Sequence, residues 1–272
     1  MKGYPHRNRR GAWPWAARPG GLGASEYEKS QLPTMKAVTD IPSGLGHLKM
    51  LADLETITRR ESSKGLGELA TDRRMIGTAL SAIYQAATCH RTCHGGPHIL
   101  EALCGRMYNL AASAYILALS GFYDEALNLI RSIGEISNLI ALSVVDKNAL
   151  REWLSSDKKT RLRKFSPSQV RKALEGEQPT LLLANEDWYA RFCETYSHVT
   201  PRTKPNMHNA TGKGFAGGVY QPEGLRTTFG ELATVLGAVA LIVCGYFKFD
   251  DLFKEISGIL DSDNKEPTTD GS

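Results

Sequence analysis

The chain has 272 residues, 42% hydrophobic and 23% charged, a composition that excludes a wholly disordered protein and allows one substantial core. Its 33 basic and 29 acidic side chains give a net charge of +4, which permits a phosphate-bearing partner without requiring one. Five irregularly spaced cysteines and a start unlike a secretory signal predict a reduced, cytoplasmic compartment.

The first 34 residues predict a disordered basic tail, because "RNRRGAWPWAARPGGLG" mixes Arg, Gly, Pro and Trp without helical or strand periodicity. Met35 is an alternative start to Met1. Residues 35–262 are predicted to form a single helical-bundle domain, and residues 263–272 a second disordered tail.

Apolar residues recur with helical spacing from Asp72 onward. The predicted helices cover residues 72–92, 98–120, 121–145, 146–156, 166–176, 185–200 and 223–261. The three consecutive long helices 72–92, 98–120 and 121–145 are joined by short glycine-containing turns. These turns predict that neighbouring helices run antiparallel. Asn185 is a helix cap and Pro201 a helix end. The predicted fold class is therefore all-α, a helical bundle with an irregular Gly/Pro-rich loop over residues 201–222.

The longest apolar run, Leu232 to Phe247, carries no charge and two glycines. It is shorter than the roughly 20 residues that a membrane-spanning helix needs. The run therefore predicts a buried core helix and no membrane association, with a membrane span as the alternative.

The segment "WYARFCETYSHVTP", residues 188–201, places Arg191 and His198 seven residues apart. Seven residues make about two helical turns, so the two side chains are predicted to lie on one line of a helix. A structural alternative is an exposed helix edge on which Glu194 pairs with Arg191 or His198 and adds only a few tenths of a kcal/mol.

The Arg191-x6-His198 pair, near a helix end within a predicted helical bundle, resembles the R-x(4–6)-H motif of HEPN-domain proteins. The stretch "SGFYDEALNLIRSIGEISNLI" followed by "WYARFCETYSHVTP" is similar to the two signature helices of a group of HEPN-like bacterial proteins. The resemblance implies an α-helical bundle that forms a homodimer. In active members it also implies RNA cleavage without a metal.

Carried onto this chain, the resemblance makes His198 the general acid or base at the ribose 2′-hydroxyl. It makes Arg191 the group that holds the phosphate or stabilises its developing charge. Active members usually have a polar residue directly after the arginine, whereas this chain has Phe192. That departure favours the interpretation that this chain is a catalytically inactive relative.

A polar stripe interrupts the apolar pattern of the helix predicted over residues 121–145. It consists of Asn128, Arg131, Glu135 and Asn138, which recur at three- and four-residue spacing. Arg131 and Glu135 are predicted to bond along the helix. The stripe is either a solvated face or a buried pair that supports Arg191 and His198.

The loop after Pro201 carries Arg202, Lys204, His208 and Lys213 close behind His198 in sequence. If the chain folds back, these side chains form a basic rim around the candidate site, which favours a phosphate ligand.

The segment "CHRTCHGGPH" presents Cys89, Cys93, His90, His94 and His98. Four-residue spacing on a helix places the two cysteines on one face and the first two histidines on another. The pattern therefore predicts a partly buried helix end, no metal and no cofactor, with a zinc site as the alternative.

Together these features predict a cytoplasmic, homodimeric, HEPN-like protein that binds or cleaves RNA through Arg191 and His198. The first alternative is a catalytically inactive, dimeric helical interaction module. The second is a metal-binding protein that uses the Cys89 to His98 segment.

Overall fold

A computed structural model describes residues 42–201 and 203–263, and within these residues the chain is all-α, without strands. The helices are α1 Leu45–Gly65, α2 Ala70–Ala87, α3 Ile99–Leu119, α4 Tyr123–Val145, α5 Ala149–Ser155, α6 Lys158–Lys164, α7 Pro167–Glu177, α8 Glu186–Phe192, α9 Pro222–Phe247 and α10 Asp250–Asp263. The predicted all-α bundle is confirmed. The predicted tails, 1–34 and 263–272, lie outside the described residues except for Asp263, which is the last residue of α10 and not part of a tail. Met35 and Arg202 also lie outside the described residues.

Two helices begin where the sequence predicts. The side chain of Asn185 accepts a hydrogen bond of 2.9 Å from the backbone N–H of Trp188, which caps α8. Pro167 occupies the first helical position of α7, where its missing N–H removes no helical hydrogen bond.

Three predicted boundaries are wrong. Helix α2 ends at Ala87 and not at residue 92, because the backbone of Cys89 turns to a φ of 52°. Lys248 adopts a left-handed conformation and divides the predicted helix 223–261 into α9 and α10. The predicted helix 185–200 stops being α-helical after Phe192.

Helix α1 was not predicted, and its contacts explain why. The two buried residues of α1 are polar: Thr58 donates to the carbonyl of Gly218 at 2.8 Å, and Ser62 donates to the carbonyl of Leu119 at 2.9 Å. A helix that docks through hydroxyl groups has no apolar stripe for a periodicity argument to detect.

Helix α9 lies at the centre of the bundle and packs against α2, α3, α4 and α10. Its Phe229, Leu236, Val239 and Phe247 are fully buried, as a core helix requires. By length and composition alone, both α4 and α9 are long and apolar enough to cross a membrane, but 78% of the most apolar window of α9 is buried by protein. That the protein does not associate with membranes stays a prediction.

The loop predicted over residues 201–222 is observed over residues 198–201 and 203–221, and specific hydrogen bonds fix it to the helices. The backbone N–H of Asn206 donates to Asp124 at 2.7 Å, and Gln221 donates its side-chain amide to the carbonyl of Asn206 at 2.8 Å. Gly218 lies so close to α3 that a Cβ there would be 2.0 Å from the carbonyl oxygen of Ser120. The loop is therefore held against the end of α3 and the start of α4.

A glycine in α4 allows α8 to dock. A Cβ on Gly134 would lie 2.8 Å and 2.9 Å from two ring atoms of Trp188, and 3.0 Å from the Cβ of Ala184. An indole ring is rigid and cannot bend aside at one end. Any side chain on Gly134 must therefore displace Trp188 and the helix that carries it.

We expect Gly134→Leu to lower the free energy of unfolding by about 2 kcal/mol, as overpacking of a filled core does. Denaturant unfolding measures this change. Gly77→Leu is the matched control, because a Cβ on Gly77 in helix α2 meets no atom within 4 Å. A Gly134→Leu variant as stable as the Gly77→Leu variant would contradict this packing.

Candidate functional site

Arg191 and His198 lie on the same short segment but not on one helical line. Helix α8 ends at Phe192, and a π-helical turn follows over Cys193–Ser197. The turn closes when the backbone N–H of His198 donates to the carbonyl of Cys193 at 2.9 Å, and His198 itself is extended with φ −100° and ψ 140°. The predicted alignment of the two side chains along a helix is therefore wrong.

Arg191 is held by an acid from the central helix. Its Nη2 donates to Glu231 Oε1 at 2.7 Å, and the indole N–H of Trp188 donates to Glu231 Oε2 at 2.8 Å. The alternative in which Arg191 pairs with Glu194 is wrong, because Glu231 is the carboxylate that Arg191 binds among the described residues. The Arg191 side chain is 51% exposed, so one side of the guanidinium still reaches solvent.

His198 is exposed, and its imidazole makes no hydrogen bond with any described residue. The next residue, Val199, is 94% exposed, although it is an apolar side chain. The segment thus presents a titratable group and an apolar group to solvent at the same point.

The polar stripe of α4 is covered by the α8 segment and fixes it. Arg131 donates to Glu135 Oε1 at 2.7 Å and to the Tyr189 hydroxyl at 2.8 Å, and Tyr189 also lies 2.8 Å from Glu135 Oε1. At the far end of the π-turn, Ser197 donates to Asn128 at 2.7 Å. The bond between Arg131 and Glu135 is confirmed, and the alternative of a solvated face is wrong.

Arg131 and Glu135 act on the candidate pair only through the backbone of the segment. Their partner Tyr189 lies two residues before Arg191, and none of their described hydrogen bonds reaches Arg191 or His198. Burial and the hydrogen bond to Glu135 raise the pKa of Tyr189. Its hydroxyl therefore remains protonated at neutral pH and continues to donate to the carboxylate.

Two more side chains attach the segment to the bundle. Arg171 of α7 is 4% exposed, binds Glu186 at 2.6 Å and lies 4.1 Å from the centre of the Tyr189 ring. Asn138, at the end of the stripe, binds the backbone just before α8: it accepts from the N–H groups of Leu183 and Ala184, each at 3.0 Å, and donates to the carbonyl of Ala184 at 2.7 Å.

His208 is brought back to the segment but does not form an exposed rim. Its Nε2 lies 2.8 Å from Asp124 Oδ1, and its ring stacks on Tyr196 with centroids 6.2 Å apart. Its side chain is only 13% exposed. Of the other loop bases in the described part of the chain, Lys204 and Lys213 are exposed. The loop does fold back to the segment, but His208 binds Asp124 and Tyr196 and is not part of an exposed basic rim.

Sequence reasoning missed Glu231, Asp124 and Tyr189, which hold the site together. Glu231 carried a usable signal, because it is a single charge directly before a long uncharged run in a helix that must be buried. Such a charge needs a partner, but nothing in the sequence names Arg191 and Trp188 as that partner.

No protein-family model matches this chain, and no curated protein or solved structure matches it. The resemblance to HEPN-domain proteins therefore depends on the two sequence stretches quoted above and on the all-α fold.

Proposed function

We propose that this protein is a HEPN-like RNA-binding protein that cleaves RNA without a metal, through Arg191 and His198. The observation that carries the proposal is the exposure of His198 and half of Arg191 on a segment that is fixed to α4, α7 and α9 through Glu186, Trp188, Tyr189 and Ser197. Functional groups act best on a rigid support, and this segment has one.

The chemistry follows from the two side chains. Histidine is the side chain whose ordinary pKa lies closest to neutrality, so His198 can accept a proton from a ribose 2′-hydroxyl and return it to the leaving oxygen. A guanidinium has five N–H donors, and the hydrogen bond to Glu231 uses one of them. Arg191 can therefore bind a phosphate at its solvent side while Glu231 sets its orientation.

The loop supplies a further attraction for a polyanion. Lys204 and Lys213 are exposed on the chain that folds back over Tyr196, the residue two positions before His198. Exposed lysines near a phosphate site add affinity that falls as salt rises.

A dimer would complete this site, because one Arg/His pair supplies half of a two-fold arrangement. Val199, 94% exposed beside His198, is the apolar group that a second copy would cover. We expect the wild type to be a dimer by light scattering at micromolar concentration and Val199→Asp to shift it toward the monomer. An unchanged dimer in Val199→Asp would place the interface elsewhere.

RNA cleavage in the presence of a chelator tests the proposal. The purified full chain is incubated with mixed single-stranded RNAs, and the products are analysed for 2′,3′-cyclic phosphate ends, which a 2′-hydroxyl attack leaves. RNA binding is measured in parallel by fluorescence anisotropy at two salt concentrations. A wild type that neither binds nor cleaves any of the RNAs would contradict the proposal.

A catalytically inactive interaction module is the second candidate, and two observations favour it. Arg191 is already neutralised by Glu231, and Phe192 is fully buried where active HEPN members usually have a polar residue. This candidate predicts a stable dimer with no RNA cleavage.

A further inference from the structure

The connection between α2 and α3 gathers three metal-binding side chains. The sulfur atoms of Cys89 and Cys93 and a ring nitrogen of His98 all lie within 4.8 Å of one another, and Cys89 Sγ is 3.7 Å from His98 Nδ1. The sequence argument against a metal assumed that both cysteines lie on one helix. That assumption is wrong, because α2 ends at Ala87 and the chain turns back.

The distances agree with a tetrahedral thiolate and imidazole site. With Zn–S near 2.3 Å and Zn–N near 2.0 Å, tetrahedral geometry places a sulfur and a nitrogen about 3.6 Å apart and two sulfurs about 3.8 Å apart. The 3.7 Å between Cys89 and His98 fits the first value. No separation in the cluster exceeds 4.8 Å, so the site needs a closure of at most about 1 Å, which the exposed Cys93 and His98 can provide by side-chain rotation.

The backbone is strained at two of the three candidate ligands. Cys89 and His98 have φ values of 52° and 48°, and they are two of only four non-glycine residues with positive φ in the described ranges 42–201 and 203–263. Such a conformation is energetically unfavourable for a non-glycine residue and persists where the surroundings impose it, often at a ligand site. Gly95 and Gly96, also at positive φ, turn the chain so that His98 meets Cys89.

A buried carboxylate lies beside one of the three ligands, His98. Glu101, in the first turn of α3, is 7% exposed, and its Oε1 lies 3.5 Å from His98 Nδ1. A carboxylate with so little access to water needs a positive partner. A cation bound to His98 would provide that partner, and a carboxylate oxygen of Glu101 would become its fourth ligand.

We propose that Cys89, Cys93 and His98 bind a divalent zinc ion, with Glu101 in the fourth position. Binding converts both thiols to thiolates and releases their protons to solvent. The bound ion would join the end of α2 to the start of α3. It is a structural metal and takes no part in the proposed RNA chemistry, so each proposal can fail without the other.

Titration of the reduced full chain with Co²⁺ tests the site, because tetrahedral thiolate coordination gives Co²⁺ an intense charge-transfer band. We expect one Co²⁺ per chain, displaced by one Zn²⁺, and a melting temperature raised by Zn²⁺. Glu101→Gln should weaken binding at least roughly 10- to 100-fold, the cost that the loss of an outer supporting group already carries, and Cys93→Ser and His98→Ala should weaken it more.

Two variants control for binding elsewhere. Cys193→Ser removes a thiol that contacts Arg131, and His90→Ala removes an exposed histidine from the same connection; both should bind Co²⁺ as the wild type does. Cys93 and His98 are exposed, so their variants should remain folded even if Cys89→Ser does not.

The proposal is overturned if reduced wild type binds no metal, or if Cys93→Ser and His98→Ala bind it unchanged. A Cys89–Cys93 disulfide in a protein whose reduced form binds no metal would identify a redox pair instead.

Discussion

His198→Ala is expected to cleave RNA roughly 10²- to 10⁴-fold more slowly than the wild type, the usual cost of losing a general acid or base. The fold should be unaffected, because the imidazole is exposed and makes no hydrogen bond with a described residue. Substitutions at such positions change stability by about 0.5 kcal/mol or less. Single-turnover cleavage rates, compared with melting curves of the same samples, separate catalysis from unfolding.

Arg191→Lys and His90→Ala complete the design of this experiment. Lysine keeps a positive charge beside Glu231 but loses the planar fork that grips a phosphate through two bonds, so cleavage should also fall. His90→Ala removes an exposed histidine away from the α8 segment and should leave the rate unchanged. If cleavage persists in both His198→Ala and Arg191→Lys, other residues or a contaminating nuclease must be responsible for the activity.

Asn138→Ala is expected to lower the free energy of unfolding by about 3 kcal/mol, the largest stability effect among the changes considered. Asn138 is 3% exposed, and its side chain satisfies two backbone N–H groups and one carbonyl at Leu183 and Ala184. Each buried polar group left without a partner costs about 1–3 kcal/mol, and water entering the space recovers part of that. Chemical denaturation with a two-state fit measures the change.

Asn148→Ala is the matched control for Asn138→Ala. Asn148 stands at the start of α5, is exposed, and its side chain forms no capping hydrogen bond. Its removal should change stability by about 0.5 kcal/mol or less. Equal stability of the two variants would contradict the fastening role assigned to Asn138.

The helices that could be predicted from sequence are those with an apolar stripe. Helices α3, α4 and α9 bury mostly apolar side chains, and residue spacing located them, although it did not show where α9 ends and α10 begins. Helix α1 was missed because Thr58 and Ser62 make its buried contacts. The end of α2 was misplaced because the turn at Cys89 depends on a backbone conformation that cysteine rarely adopts.

In the candidate site, local pairs were predictable and distant ones were not. Arg131 and Glu135 are four residues apart on one helix, so their bond follows from helical geometry. Glu231 is 40 residues from Arg191, and only the docking of α8 on α4, beside α9, brings the two together. The spacing of apolar residues does not distinguish a π-helical turn from an α-helix, so the turn could not be predicted. It nevertheless sets the direction of the chain at His198.

The hydrogen bond from Thr58 to Gly218 has a consequence for the order of folding. It joins residues 160 positions apart, so the chain between them must be closed into one long loop before this bond can form. Contacts of such separation form late, whereas neighbouring helices such as α3 and α4 can pair early. On a ribosome, Thr58 emerges long before Gly218. We therefore expect the loop beside the candidate site to be among the last parts of the protein to fold.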